Sequence, residues 1–182
     1  MTGIANAGGE RGWSGWRAIG WGAAISLLVL PAVAMRFTDE VNWTAGDFVF
    51  AGLLFGGVGL GIEFLVRQSA NLSYRVGAVL ALLAAFLNVW VNGAVGMIGS
   101  EDNPYNLLFI GVIALSAIGA AAARLRPAGI SRAMLAAGAA HLAIAAGGAL
   151  SDVRGAVLSM IIGSVWLGSA WLFGRAGKVE AA

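Results

Sequence analysis

Long apolar runs interrupted by short polar clusters dominate the chain. A helix that crosses a bilayer core needs about 20 apolar residues, with a range of about 17–25. Six stretches reach that length: Ala18 to Met35, Gly46 to Val66, Tyr74 to Gly99, Tyr105 to Ala123, Arg132 to Leu150 and Val153 to Phe173. Between them lie Thr38-Asp39-Glu40, Arg67-Gln68-Ser69, the run from Ser100 to Pro104, Arg126-Pro127 and Ser151-Asp152. Connections this short make consecutive helices antiparallel neighbours. The pattern predicts an all-α integral membrane bundle of six transmembrane helices. A segment over 1–17, a single six-helix domain over 18–174 and a tail over 175–182 complete the expected organisation.

Local signals agree with these breaks. Thr44 followed by Asp47 has the spacing of a capping box at a helix start. Asn103-Pro104 offers an N-cap and a proline at the first helical position. Ser151-Asp152 suits the start of the sixth span. Glu63 and Arg67 stand four apart, in reach of each other at the end of the second span. The first span is about 18 residues long and ends in Pro31, Met35 and Arg36 without a small-residue cleavage site, so it reads as an uncleaved span.

Charge orients the bundle. Basic residues concentrate in cytoplasmic loops of membrane proteins. With the N-terminus and C-terminus cytoplasmic, Arg11, Arg17, Arg67, Arg75, Arg124, Arg126, Arg132, Arg175 and Lys178 fall inside, and only Arg36 and Arg154 fall outside. Asp39, Glu40, Asp47, Glu101, Asp102 and Asp152 all fall outside. Trp13, Trp16, Trp21 and Trp171 then lie at the inner interface and Trp43 at the outer one, where indole rings concentrate.

Composition narrows the function classes. Apolar residues make up 59% of the chain and charged ones 11%, against about 25% charged in an ordinary soluble domain. The absence of cysteine excludes disulfide scaffolds, Cys-ligated zinc, iron–sulfur clusters and thiol enzymes. Dispersed basic residues leave no nucleic-acid stripe. A single histidine excludes a bis-His haem within one chain. No nucleophile motif, P-loop or dinucleotide fingerprint is present, so neither catalytic residues, nor a metal, nor a cofactor is expected.

Glycine spacing bears on packing. Lipid tails supply no hydrophobic drive between helices, so close backbone approach matters more. The second span carries Gly52/Gly56 and Gly57/Gly61 at small-x-x-x-small spacing. The fifth, rich in Ala and Gly around His141, is only marginally apolar and is expected to sit in the middle of the bundle.

Polar side chains within the spans are the candidate site. His141 and Asn88 lie near mid-membrane, Asn92 stands one turn outward from Asn88, and Glu63 lies in the second span. Each has two readings. His141 is a proton-relay or ligand-binding imidazole, or a neutral ring bonded to a facing group. The asparagines grip a polar headgroup, or tie two helices. Glu63 sits in a proton path, or pairs with Arg67. A second candidate is the outward-facing rim of Asp39, Glu40, Asn42, Trp43, Asp47, Glu101, Asp102 and Asn103. Its clustered oxygens suit a hard cation or simply follow from topology and capping.

The strings Phe37-Thr38-Asp39-Glu40-Val41-Asn42-Trp43 and Gly99-Ser100-Glu101-Asp102-Asn103-Pro104, with Trp90-Val91-Asn92 between them, resemble a group of small polytopic bacterial inner-membrane proteins of no known activity. The resemblance implies a bacterial inner membrane and an outward-facing feature built on the two loops. The resulting expectation is a non-catalytic accessory or scaffold subunit of a membrane assembly. Its partners would be the lipid bilayer and other membrane subunits or further copies of the chain, with no nucleic acid. The alternatives are a small permease or channel with a polar path through Asn92, Asn88 and His141, and a lipid- or quinone-binding membrane protein.

Overall fold

A computed structural model describes residues 7–180, with side chains described over residues 15–179. The expectations for Arg11 and Trp13 concern side chains outside the described residues. Six α-helices follow in order: α1 (Ala7–Ala34), α2 (Ala45–Val66), α3 (Leu72–Ala94), α4 (Leu107–Ala122), α5 (Pro127–Gly148) and α6 (Val153–Glu180). A single 3-10 turn, Pro104–Asn106, leads into α4, and the described residues form no strand. All six helices are long and apolar enough to span a membrane, the fourth together with its leading turn. The chain divides into two compact units, Met1–Gly61 and Ile62–Ala182.

In the first unit, α1 and most of α2 meet along a sparse seam. A Cβ added at Gly59 would lie 3.1 Å from the Trp21 indole, and one at Gly52 would lie 3.9 Å from Leu28. Seven residues up one helix match seven down the other, the register of an antiparallel pair. The expected glycine seam takes a different form here. Gly56 and Gly57 have no neighbour within 4 Å of an added Cβ. The indole at Gly59, not backbone contact, sets the spacing of the pair. At the start of α2 the capping box closes: Thr44 N–H donates to Asp47 Oδ2 at 2.7 Å, and Asp47 N–H donates to Thr44 Oγ1 at 3.4 Å.

In the second unit, α6 packs against both α3 and α5, and α5 packs in turn against α4. The fifth span, expected in the middle of the bundle, packs within this unit between α4 and α6. It is α6 that buries the larger share of its apolar window, 44% against 33% for α5. Small residues let α5 approach both partners. Gly138 faces Leu167 of α6, Gly163 faces Leu142, and Gly119 of α4 faces Ala133. The core between α3, α5 and α6 is built on Tyr74, Met134, Trp166 and Phe173, with Tyr74 edge-on to Phe173 at 5.0 Å between ring centroids.

Four helix ends differ clearly from the sequence reading. The third span stops at Ala94, not Gly99. Gly96 takes a left-handed φ of +78°, and an added Cβ there would run into the Ser100 carbonyl, so the chain leaves the helix in a tight curl. The fifth helix starts at Pro127, five residues before Arg132. Arg126 is extended in front of it, and proline at the first helical position has no N–H to leave unpaired. The sixth continues to Glu180. Helix α1 likewise reaches back to Ala7, so part of the segment 1–17 is helical.

Candidate functional site

The polar residues of the second unit fall into two groups, one sealed in the bundle and one at the end where α3 joins α4. The sealed group begins on α3. Asn88 is fully buried and donates Nδ2–H to the Phe109 carbonyl of α4 at 3.3 Å. Asn92, half-buried one turn on, donates to Asn88 O at 2.9 Å and Asn88 Oδ1 at 3.2 Å. The Phe109 ring rests on the His141 ring of α5, with centroids 4.9 Å apart. His141 is fully buried, and from α6 the Ser159 backbone carbonyl faces the imidazole without closing a hydrogen bond of ordinary geometry. Asn88 and His141 thus both meet Phe109, while Asn92, one turn on, leads from this group to the loop end of α3. Trp90 lies off this face and stacks on Phe86 at 5.8 Å.

Glu63 does not join them. It pairs with Arg67 at 3.2 Å near the end of α2. Asn88 lies about 24 Å of helix rise from the start of α3 that follows this pair. The rim expected to face outward divides between the units. In the first, Glu40 N–H donates to Thr38 Oγ1 at 3.1 Å and Trp43 meets Phe48 edge-on at 5.2 Å. Asp47 is engaged in its cap, while Asp39 and Asn42 are exposed. In the second, Glu101, Asp102 and Asn103 line an open cleft of about 300 Å³ together with Asn92, Leu107 and Ile110.

The loop above that cleft is wound on its own amides. Asn106, buried, accepts the Ile98 N–H at 2.9 Å and donates to Ser100 O at 2.8 Å. Asn103 donates to Ile98 O at 2.9 Å and caps the following turn by accepting the Tyr105 N–H at 3.0 Å. Met97 and Ile98 plug the end of the bundle, Ile98 against Gly148. Tyr105 reaches across to donate to Ile144 O of α5 at 2.7 Å. Asp152 closes the arrangement. Its Oδ1 accepts from Gly155 N at 3.0 Å and its Oδ2 from Gly99 N at 2.9 Å. Those two N–H bonds, Gly155 first, hold its carboxyl below the usual carboxylate range.

Sequence reasoning missed Asn106, Tyr105 and Ser159, and saw Asp152 only as a cap. Asn106 and Ser159 stand in no motif; their roles come from which helix faces them. Among the described residues no three His, Cys, Asp or Glu side chains come together to hold a metal ion. Ser116, Ser131, Ser164 and Ser169 each donate to a backbone carbonyl, which leaves none of these four hydroxyls paired with the imidazole.

Comparison with family models, with curated proteins and with solved structures finds no match. The resemblance to small bacterial inner-membrane proteins therefore rests on the loop strings alone.

Proposed function

We propose that this protein is a non-catalytic, multi-pass protein of a bacterial inner membrane, an accessory or scaffold subunit of a membrane assembly, with both termini cytoplasmic. The observation that carries this reading is the use made of its buried and half-buried polar groups. Asn88 to Phe109 O, Ser131 to Ala170 O at 2.7 Å, Ser169 to Gly77 O at 2.8 Å and Tyr105 to Ile144 O all tie one helix to another. Such ties are worth about 0.6–2 kcal/mol each in a membrane. They favour a rigid frame over a moving path. A permease path through Asn92, Asn88 and His141 has less support, because Asn88 and His141 have no exposure at all.

Native mass spectrometry after gentle extraction tests the reading. A second polypeptide or a discrete homo-oligomer is the expected result. A strictly monomeric, partner-free protein overturns it.

A second reading is favoured by the cleft. Glu101, Asp102, Asn103 and Asn92 line it together with the apolar Leu107 and Ile110, a mixed polar and apolar lining that suits a lipid or quinone headgroup. A monomer that retains a lipid or quinone, and loses it on Asn92→Leu, would favour this reading over the first.

A further inference from the structure

The two ends of the second unit differ in charge. Where α3 joins α4 lie Glu101, Asp102 and Asp152, with Arg154 in the first turn of α6. At the other end the exposed cations are Arg124 and Arg126 of the α4–α5 turn, Arg132 of α5, and Arg175 and Lys178 of α6. Among the described side chains, the one carboxylate near this end is Glu63, which pairs with Arg67. None of the exposed cations of the turn, α5 and α6 has an ion-pair partner among the described residues.

Packing draws these cations to one end. Tyr74, in the first turn of α3, donates its hydroxyl to the Leu125 carbonyl at 3.2 Å. That bond ties down a turn in which Arg124 and Leu125 take left-handed φ values of 51° and 58°. Residues other than glycine keep that conformation only where the surroundings hold it. The end of α6 then lies against the start of α5. A Cβ added at Gly177 would sit 3.1 Å from Ala128 N, and one at Gly174 would sit 3.2 Å from Ser131 Oγ. Lys178 and Arg175 follow those glycines directly, and Arg126 and Arg132 stand within two positions of Ala128 and Ser131.

The surroundings select the occupant. Guanidinium and ammonium groups recognise phosphate. A soluble polyanion would meet the charge and nothing else. Beside the cations, however, the helices expose apolar side chains: Leu72 of α3, Ile118 of α4, Leu135 of α5 and Trp171 of α6. Arg175 lies over the Trp171 indole at 4.9 Å from the ring centroid. Indole rings concentrate at the headgroup level of a bilayer. Phosphate at the cations and acyl chains along the apolar helix faces is the layout of a phospholipid.

We propose that this end of the second unit docks on anionic phospholipid headgroups, with the α4–α5 turn and the last turns of α6 as the binding surface. The inference needs the helices to span a bilayer. It needs neither the scaffold reading nor the assignment of this end to the cytoplasm, because either leaflet can supply the lipid.

The full chain in nanodiscs tests it, with both leaflets holding the same mixture of phosphatidylcholine and a minor share of phosphatidylglycerol. Native mass spectrometry counts the lipids that stay with the protein. A retained lipid and a second polypeptide differ in mass, so this result is read separately from the scaffold test. Phosphatidylglycerol is expected to be enriched at least about five-fold over its bulk share, the worth of one cation near an anionic surface. Arg124→Gln with Arg126→Gln, and Arg175→Gln with Lys178→Gln, are each expected to lower the enrichment, while Arg154→Gln leaves it unchanged. Retention at the bulk share in the wild type overturns the proposal. So does enrichment that survives both double variants, or that falls equally with Arg154→Gln. Salt provides a check that needs no variant: at about 1 M, where screening acts within about 3 Å, the wild-type enrichment should fall, and indifference to salt overturns the proposal. Capture of a soluble oligonucleotide in phosphatidylcholine nanodiscs, without lipid enrichment, would assign the surface to a nucleic acid instead and overturn it as well.

Discussion

The Asp152 carboxylate accepts the Gly99 backbone N–H at 2.9 Å across 53 residues of chain. The same side chain caps α6 through Gly155. One residue therefore joins the loop between α3 and α4 to the start of α6. Gly155 is hydrogen at its Cα for a reason, since an added Cβ would collide with the Asp152 carboxylate and the Met97 carbonyl.

The latch has a pH signature. Its two N–H bonds lower the folded-state pKa of Asp152, Gly155 contributing more than Gly99. A lowered carboxylate pKa contributes stability above the unfolded value of about 3.9 and loses it as pH falls through the folded value. Asp152→Ala is expected to lower the thermal midpoint at pH 7, and the gap to wild type should shrink in acid below about pH 4. Circular dichroism melts at several pH values check this; a gap that stays constant into acid contradicts it.

Two glycines should respond in opposite ways. An added Cβ at Gly138 would sit 2.6 Å from Leu167, so Gly138→Ala overpacks the α5–α6 seam and is expected to cost about 1–3 kcal/mol. Gly56 has no neighbour within 4 Å of an added Cβ. There Gly56→Ala is expected to stabilise the chain by about 0.5–1 kcal/mol through helix propensity. Equilibrium unfolding in detergent measures both, and equal effects would contradict the packing described for α5 and α6.

Asn88 is expected to act as a tie between α3 and α4. Asn88→Leu removes the bond to the Phe109 carbonyl and is expected to cost about 0.6–2 kcal/mol. Asn92 bonds only within α3, to Asn88, so Asn92→Leu alone should cost less. A double-mutant cycle should show the two coupled, since they share one network. Additive losses would mean that the pair does not act together.

The cysteine-free chain allows a direct test of orientation. Single cysteines at Ala70 and Leu150, both exposed in connections between helices, report opposite ends. With cytoplasmic termini, Leu150→Cys is labelled by an impermeant thiol reagent in intact cells, and Ala70→Cys only after permeabilisation. The reverse pattern would invert the charge-based assignment.

Helix number, approximate extent and several caps were legible in the sequence because each depends on local chemistry. Twenty apolar residues make a span wherever they occur, and Thr44 with Asp47, Asn103 with Pro104 and Glu63 with Arg67 interact across three or four positions at most. The misread ends have local causes too, but ones that pattern conceals. Val95 to Gly99 reads as apolar helix, yet Gly96 turns the chain and Met97 and Ile98 become a plug.

Partner choice between helices belonged to the tertiary structure alone. Nothing in the strings around Asn88, Phe109 and His141 says that three helices bring them together, because contacts between distant segments depend on packing rather than on spacing. The same holds for Asp152 and Gly99, and for Tyr105 and Ile144. Apolarity determines that a helix can enter a membrane. The fit of Gly138 to Leu167, Gly163 to Leu142 and Gly77 to Phe173 determines which helix it meets there.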